Sequence, residues 1–135
     1  MTDQHKTSQT NHPPVRDPQD LERLLVSRQN AGDADGMAAL YEPQAVLDAG
    51  FFCRDGLPRA SAPLLLHGRE AIRQFFRELI ASGRKFEMGE QQPALISGDL
   101  ALTSTRCRNG TVTAEVARRQ PDGTWLWALD KFSIS

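Results

Sequence analysis

Apolar positions along this chain recur first at helical spacing and then, beyond about residue 85, at the two-residue spacing of strands. Leu21, Leu24 and Leu25 form one stripe, with Arg28 on the same side, and Met37, Leu40 and Tyr41 form a second. Ile72, Phe75, Phe76, Leu79 and Ile80 form the third and longest, at i, i+3, i+4, i+7 and i+8. Asp17-Pro18 opens the first helix, with Asp17 as cap and Pro18 at the first helical position, where a missing amide is harmless. The run NAGDADGMAALY from Asn30 to Tyr41 is a stop, a turn and a start in succession. Gly32 supplies the left-handed residue that ends one helix, and Asp33 caps the next, which runs to about Tyr41 and is stopped by Pro43. Gly83 ends the third helix.

Residues 45–49 read as a short strand, and residues 86–91, 94–97, 100–108, 111–120 and 124–134 as further strands. Between them stand turn signals at Gly98-Asp99, Asn109-Gly110 and Pro121-Asp122-Gly123. Residues 50–66 carry Phe51, Phe52, the turn-forming Arg54-Asp55-Gly56, two prolines and a cluster of leucines. So many apolar residues in one irregular stretch predict either a flap over a binding site or a cap on the open end of the core.

A two-residue turn at Asn109-Gly110 pairs Arg106 with Thr113, Ser104 with Glu115 and Leu102 with Ala117. One face then carries Leu100, Leu102, Ser104, Arg106, Thr113, Glu115 and Ala117; the other carries Ala101, Thr103, Thr105, Cys107, Val112, Ala114 and Val116. On the last strand strict alternation puts Trp125 and Trp127 on one face and Leu126, Ala128, Asp130 and Phe132 on the other. Neither face is fully polar, and a second apolar face predicts a partner.

With 135 residues the chain suits one domain, preceded by a polar, Pro-bearing leader over residues 1–16 that reads as disordered. Sixteen basic against 17 acidic residues give a net charge of -1, which argues against nucleic acid or an anionic membrane as the main partner. No apolar run approaches the ~20 residues that span a bilayer. Two cysteines, Cys53 and Cys107, are too few for a disulfide framework or metal cluster, and neither has a base beside it in sequence. His5 and His12 show no metal-site spacing, and no phosphate or dinucleotide loop is present. The default is a cytoplasmic, reduced protein without metal or cofactor.

NAGDADGMAALY, the helix start HGREAI and the closing RRQPDGTWLWALDKFSI together resemble the nuclear transport factor 2-like superfamily, over roughly residues 17–134. That group includes ketosteroid isomerases, SnoaL-like polyketide cyclases and non-catalytic association domains. The resemblance implies an α+β fold, a cone-shaped curved antiparallel sheet packed on three helices. The first segment looks most like the steroid isomerases, whose chemistry uses a carboxylate base and an oxyanion hole of Tyr and protonated Asp. Carried over, the oxyanion Tyr falls on Leu25, the base on Ala49 and the second Asp on Ala117, all apolar. A true ketosteroid isomerase is therefore not expected.

The same resemblance implies that Glu115 and Ala117 line the concave pocket with Leu126, Ala128, Asp130 and Phe132. Glu115 and Asp130 become the candidate catalytic carboxylates, with Arg106 and Thr113 orienting a ligand. In the other arrangement Glu115 pairs with Arg106 across the strands and Asp130 with an Arg or a backbone amide. His67 stands at the pocket mouth, or caps a helix; Tyr41 donates its hydroxyl into the pocket, or packs with Met37 and Leu40. The expected function is a SnoaL-like domain binding a hydrophobic small molecule, with isomerase, cyclase or lyase chemistry on a carbonyl compound. The alternative is a non-catalytic dimeric association module. Either way a homodimer is expected through the convex sheet face, built on Val112, Ala114, Val116, Ala101, Cys107, Trp125 and Trp127, unless the tryptophans fold back onto the helices.

Overall fold

In the computed structural model of the chain, residues 12–50 and 63–134 are described. Helices α1 (Asp20–Asn30), α2 (Ala34–Ala38) and α3 (Arg69–Ala81) pack on a curved sheet. Its strands are β1 (Tyr41–Asp48), β2 (Leu65–His67), β4 (Leu95–Ser97), β5 (Leu100–Thr103), β7 (Ala114–Arg119) and β8 (Trp125–Lys131), in the order β2-β1-β8-β7-β5-β4. Two short strands, β3 (Glu90–Gln91) and β6 (Thr105–Arg106), form a separate ladder. The expected α+β class is therefore the observed one. Among the described residues every strand pair is antiparallel except β1 with β8, which run parallel.

Asp17 does not cap α1 as expected: the helix starts at Asp20 with Gln19 at its cap and no side-chain bond there, and Asp17 Oδ1 instead accepts the Gln19 amide at 2.9 Å in the turn before the helix. The other helix signals work as their chemistry requires. Asp33 Oδ1 accepts the Gly36 amide at 2.9 Å, and Gly32 holds the left-handed φ of 74° that reverses the chain after α1. Ile72 and Phe76 of α3 are fully buried, and Gly83 takes φ 83° beyond its end. Helix α2, however, stops at Ala38, and Tyr41 opens β1 instead of completing a helical stripe. The Trp127 amide donates to Leu40 O at 2.8 Å and Tyr41 sits opposite Trp127, so sheet pairing takes the chain before another helical turn can form. Pro43, with no amide to donate, lies exposed where the register with β8 shifts between Tyr41 and Val46.

Residues 84–89 form no strand. Asn30 holds them instead, its side chain accepting the Phe86 amide at 2.8 Å and donating to Phe86 O at 2.9 Å. Residues 12–16, expected within the leader, lie on the domain: Val15 is buried and its carbonyl accepts the Trp125 amide at 2.8 Å. Residues 1–11, with His5, and residues 51–62, with Cys53 and most of the expected flap, lie outside the described residues.

Two local features overturn the expected division of the sheet's faces. The Cys107 amide donates to Thr111 O and the Gly110 amide to Cys107 O, with Gly110 at φ 90°. Arg108-Asn109-Gly110 is thus a three-residue loop with glycine in the left-handed position, not a two-residue turn. The register moves by one: Thr103 faces Glu115, Leu102 faces Val116 and Ala101 faces Ala117. A slip of one residue turns a strand over, so Ala101, Thr103, Thr105 and Cys107 point to the helices while Leu100, Leu102 and Arg106 point outward. The second feature is a bulge. Ala117 pairs with Trp127 but Val116 pairs with Leu129, leaving Ala128 as an extra residue in β8. Alternation restarts there, so Trp125 and Trp127 face inward, as do Asp130 and Phe132 beyond the bulge, and Leu126 faces outward. The tryptophans belong to the core, not to the convex face.

Candidate acid–base site

The bulge aims the second half of β8 at the helices, and Asp130 consequently stands opposite Glu115 of β7 inside the curve of the sheet. Glu115 is 2% and Asp130 4% exposed, which is rare for acids and demands partners. Tyr41, at the start of β1, donates its hydroxyl to Asp130 Oδ2 at 2.5 Å. Thr103, brought across from β5 by the corrected register, donates to Glu115 Oε1 at 2.7 Å, and the Thr113 hydroxyl also bonds this carboxyl. Glu22 of α1, 3% exposed, adds a third acid whose charge is felt by both Glu115 and Tyr41. Aromatic rings enclose the group: the Tyr41 ring lies 5.3 Å from Trp127 and 6.0 Å from Phe76, centroid to centroid.

Burial pushes the Glu115 carboxyl well above the usual carboxylate range, and the charges of Asp130 and Glu22 push it the same way. The two threonine hydroxyls work against that rise, since they favour the ionised form. Burial also raises the Tyr41 phenol, with Asp130 adding to the effect, so Tyr41 stays a proton donor. Two adjacent acids with different partners, in surroundings that exclude water, can hold and move one proton between them and a ligand.

Of the residues singled out by sequence, Glu115, Asp130, Tyr41, Thr113 and Phe132 come together inside the sheet. Arg106 does not: it is exposed, opposite Glu90 and Val112, and the pairing with Glu115 does not form. Leu126 lies opposite Arg118 on the outer face, and His67 is exposed at the sheet edge opposite Val46. Thr103 and Glu22 are the residues that sequence reasoning missed. Thr103 was hidden by the register error. Glu22 had a signal, standing four before buried Val26 and seven before buried Gln29 on a wider inward face of α1. Among the described residues no group of three His, Cys, Asp or Glu is placed to hold a metal ion, and no helix is long and apolar enough to cross a membrane.

Leu25, Ala49 and Ala117, the positions onto which the sequence resemblance carries the steroid isomerases' reacting groups, are buried apolar side chains of the core. Residues 21–133 match the SnoaL-like domain family. The chain belongs to this family. Solved structures agree on the fold. A protein of unknown function from Mycobacterium tuberculosis superposes with a TM-score of 0.63 at 16% identity, covering 84% of this chain and 70% of its own. A Thiobacillus denitrificans protein described as a calcium/calmodulin-dependent protein kinase type II association domain gives 0.61 at 19%, covering 89% and 96%. A nuclear transport factor 2-like protein with a cystatin-like fold, from Novosphingobium aromaticivorans, gives 0.55 at 21%, covering 84% and 76%. No functionally curated protein matches the chain in sequence. At such identities the likeness carries the fold of this SnoaL-like domain; its chemistry must come from Glu115, Asp130 and their neighbours.

Proposed function

We propose that this SnoaL-like domain binds a hydrophobic carbonyl compound and moves a proton on it, as an isomerase, cyclase or lyase does. One observation supports the reading above others: Glu115 and Asp130 face each other, buried, with Glu115 raised and Asp130 accepting the Tyr41 hydroxyl. In the forward step Asp130 takes a proton from the carbon beside the carbonyl, and Glu115 gives its proton to the carbonyl oxygen. The product is the enol, and return of a proton to a different carbon completes an isomerisation. Phe76, Phe132 and Trp127 are fully buried apolar side chains of the same core, surroundings that suit a hydrophobic ligand. The test is a thermal-shift panel of steroids, polyketides and aromatic acids, followed by NMR of deuterium uptake at the carbon beside the carbonyl of any stabilising ketone. Uptake catalysed by the native protein and lost in Glu115→Gln and Asp130→Asn is expected. No stabilisation by any compound, or uptake unchanged in both variants, contradicts the reading.

A different observation favours the association-module reading. Leu95, Leu102, Val116, Leu129 and Val46 stand opposite one another on successive strands and make one apolar row across the outer face. Leu95 is 70%, Leu129 53% and Leu102 47% exposed. A groove of about 300 Å³ runs there, and the Lys131–Asp48 and Arg118–Glu42 ion pairs flank the row. By strand spacing the face offers roughly 500 Å² per copy, enough for a small two-fold dimer. We propose that two copies meet through this face, where of the residues the sequence suggested Val116 is the one in this row and the tryptophans, Ala101 and Cys107 are turned inward. Light scattering of Leu129→Glu reads it: dimeric native protein and monomeric variant support the interface. A monomeric native protein, or a dimer indifferent to Leu129→Glu and Leu102→Glu together, removes it.

A further inference from the structure

We infer that Thr103 and Thr113 act as a pair of positioning residues that keep Glu115 able to release its proton. The inference rests on reading Glu115 as the acid–base group, and its geometry is independent of any ligand. A threonine hydroxyl carries one proton and two lone pairs, so its direction depends on what reaches its oxygen. Thr113 Oγ1 accepts the Thr105 amide at 3.0 Å, and Thr103 Oγ1 accepts the Trp127 indole N–H at 3.4 Å. Neither a backbone amide nor an indole can reverse its role, because each is a donor only. Each threonine therefore has its own proton left to offer, and each offers it to Glu115.

The two hydroxyls come from different places. Thr103 lies directly across the ladder on β5, and Thr113 lies two residues before Glu115 on the same face of its own segment. The groups that oppose ionisation reach Glu115 from the other elements: Asp130 from β8 and Glu22 from α1, while the Tyr41 phenol from β1 is committed to Asp130. Buried beside two acids and given no donors, Glu115 would hold its proton throughout the working range and serve only as a donor. Two fixed donors lower the cost of the carboxylate, so the group can give its proton and take it back. Arg28, the buried cation of α1, is not part of this set, since its guanidinium donates to Gly36 O at 2.6 Å.

The test follows the Glu115 side-chain carboxyl by 13C NMR across pH, with Glu115→Gln assigning the resonance. Thr103→Val and Thr113→Val should each move the titration midpoint upward by about one to two pH units, and the double variant further. Thr103→Ser and Thr113→Ser restore the hydroxyl and should return the midpoint towards the native one. Thr→Ala variants run in parallel, so a packing defect peculiar to valine is separated from the loss of the hydroxyl. Unchanged midpoints in the valine and alanine variants, with a native Glu115 that still titrates high, overturn the inference and leave the acid–base reading standing. A native Glu115 that titrates in the ordinary carboxylate range overturns that reading, and this inference with it.

Discussion

Glu115 is a carboxyl that water does not reach, and its raised pKa ties the stability of the whole chain to pH. The native state binds this proton more tightly than the unfolded chain, so the stabilisation is fully present below the unfolded pKa of about 4.3 and is lost as pH rises through the folded value. Glu115→Gln keeps the shape and cannot ionise. Its melting temperature should exceed the native one at neutral and alkaline pH, with the gain vanishing below about pH 4. Thermal melts of the two proteins across that range check the sign; a variant less stable at every pH means the charge is not buried as described. Tyr41→Phe tests the neighbouring acid. It keeps the ring against Trp127 and Phe76 and removes the donor to Asp130, leaving a buried carboxylate short of a hydrogen bond. Denaturant unfolding should show a loss of about 1–3 kcal/mol.

Among the elements, what the sequence made legible and what it hid divide cleanly along one line. Within an uninterrupted stretch, alternation or helical spacing is reliable: Thr113, Glu115 and Ala117 share a face as expected, as do Asp130 and Phe132, and α3 buries the stripe read from its spacing. Across a loop or a bulge the parity is lost. Asn109-Gly110 is a strong hairpin signal, but whether Arg108 belongs to the strand or the loop is a difference of one residue, and that residue decides which way Thr103 and Arg106 point. The Ala128 bulge likewise has no mark in the local sequence, since Trp127, Ala128 and Leu129 all suit a strand. Tyr41 fitted a helical stripe and is instead taken into the sheet by its pairing with Trp127, a tertiary contact no local pattern contains. Deleting Arg108 is the direct trial. Cys107 still meets Thr111 across a two-residue Asn-Gly turn and Thr103 still faces Glu115, so the variant should keep its cooperative thermal transition. Loss of that transition would mean that the three-residue loop itself holds the register.

On the scale of the whole molecule, the sheet separates two surfaces with opposite character. Its inner face is dry yet carries Glu115, Asp130, Tyr41, Thr103 and Thr113, while its outer face is wet yet carries Leu95, Leu102 and Leu129. Each is a departure from the usual apolar-inside arrangement, and each motivates its own proposal: proton chemistry inside, contact with a second copy outside. The family gives the scaffold, and Leu25, Ala49 and Ala117 are buried apolar residues within its core. What remains central is an acid whose pKa burial raises, standing beside a second acid within the core. Infrared difference spectroscopy of the native protein against Glu115→Gln near neutral pH measures that directly. A protonated-carboxyl carbonyl band present in the native protein and absent from the variant is the predicted result; a spectrum in which Glu115 contributes only carboxylate bands would contradict it.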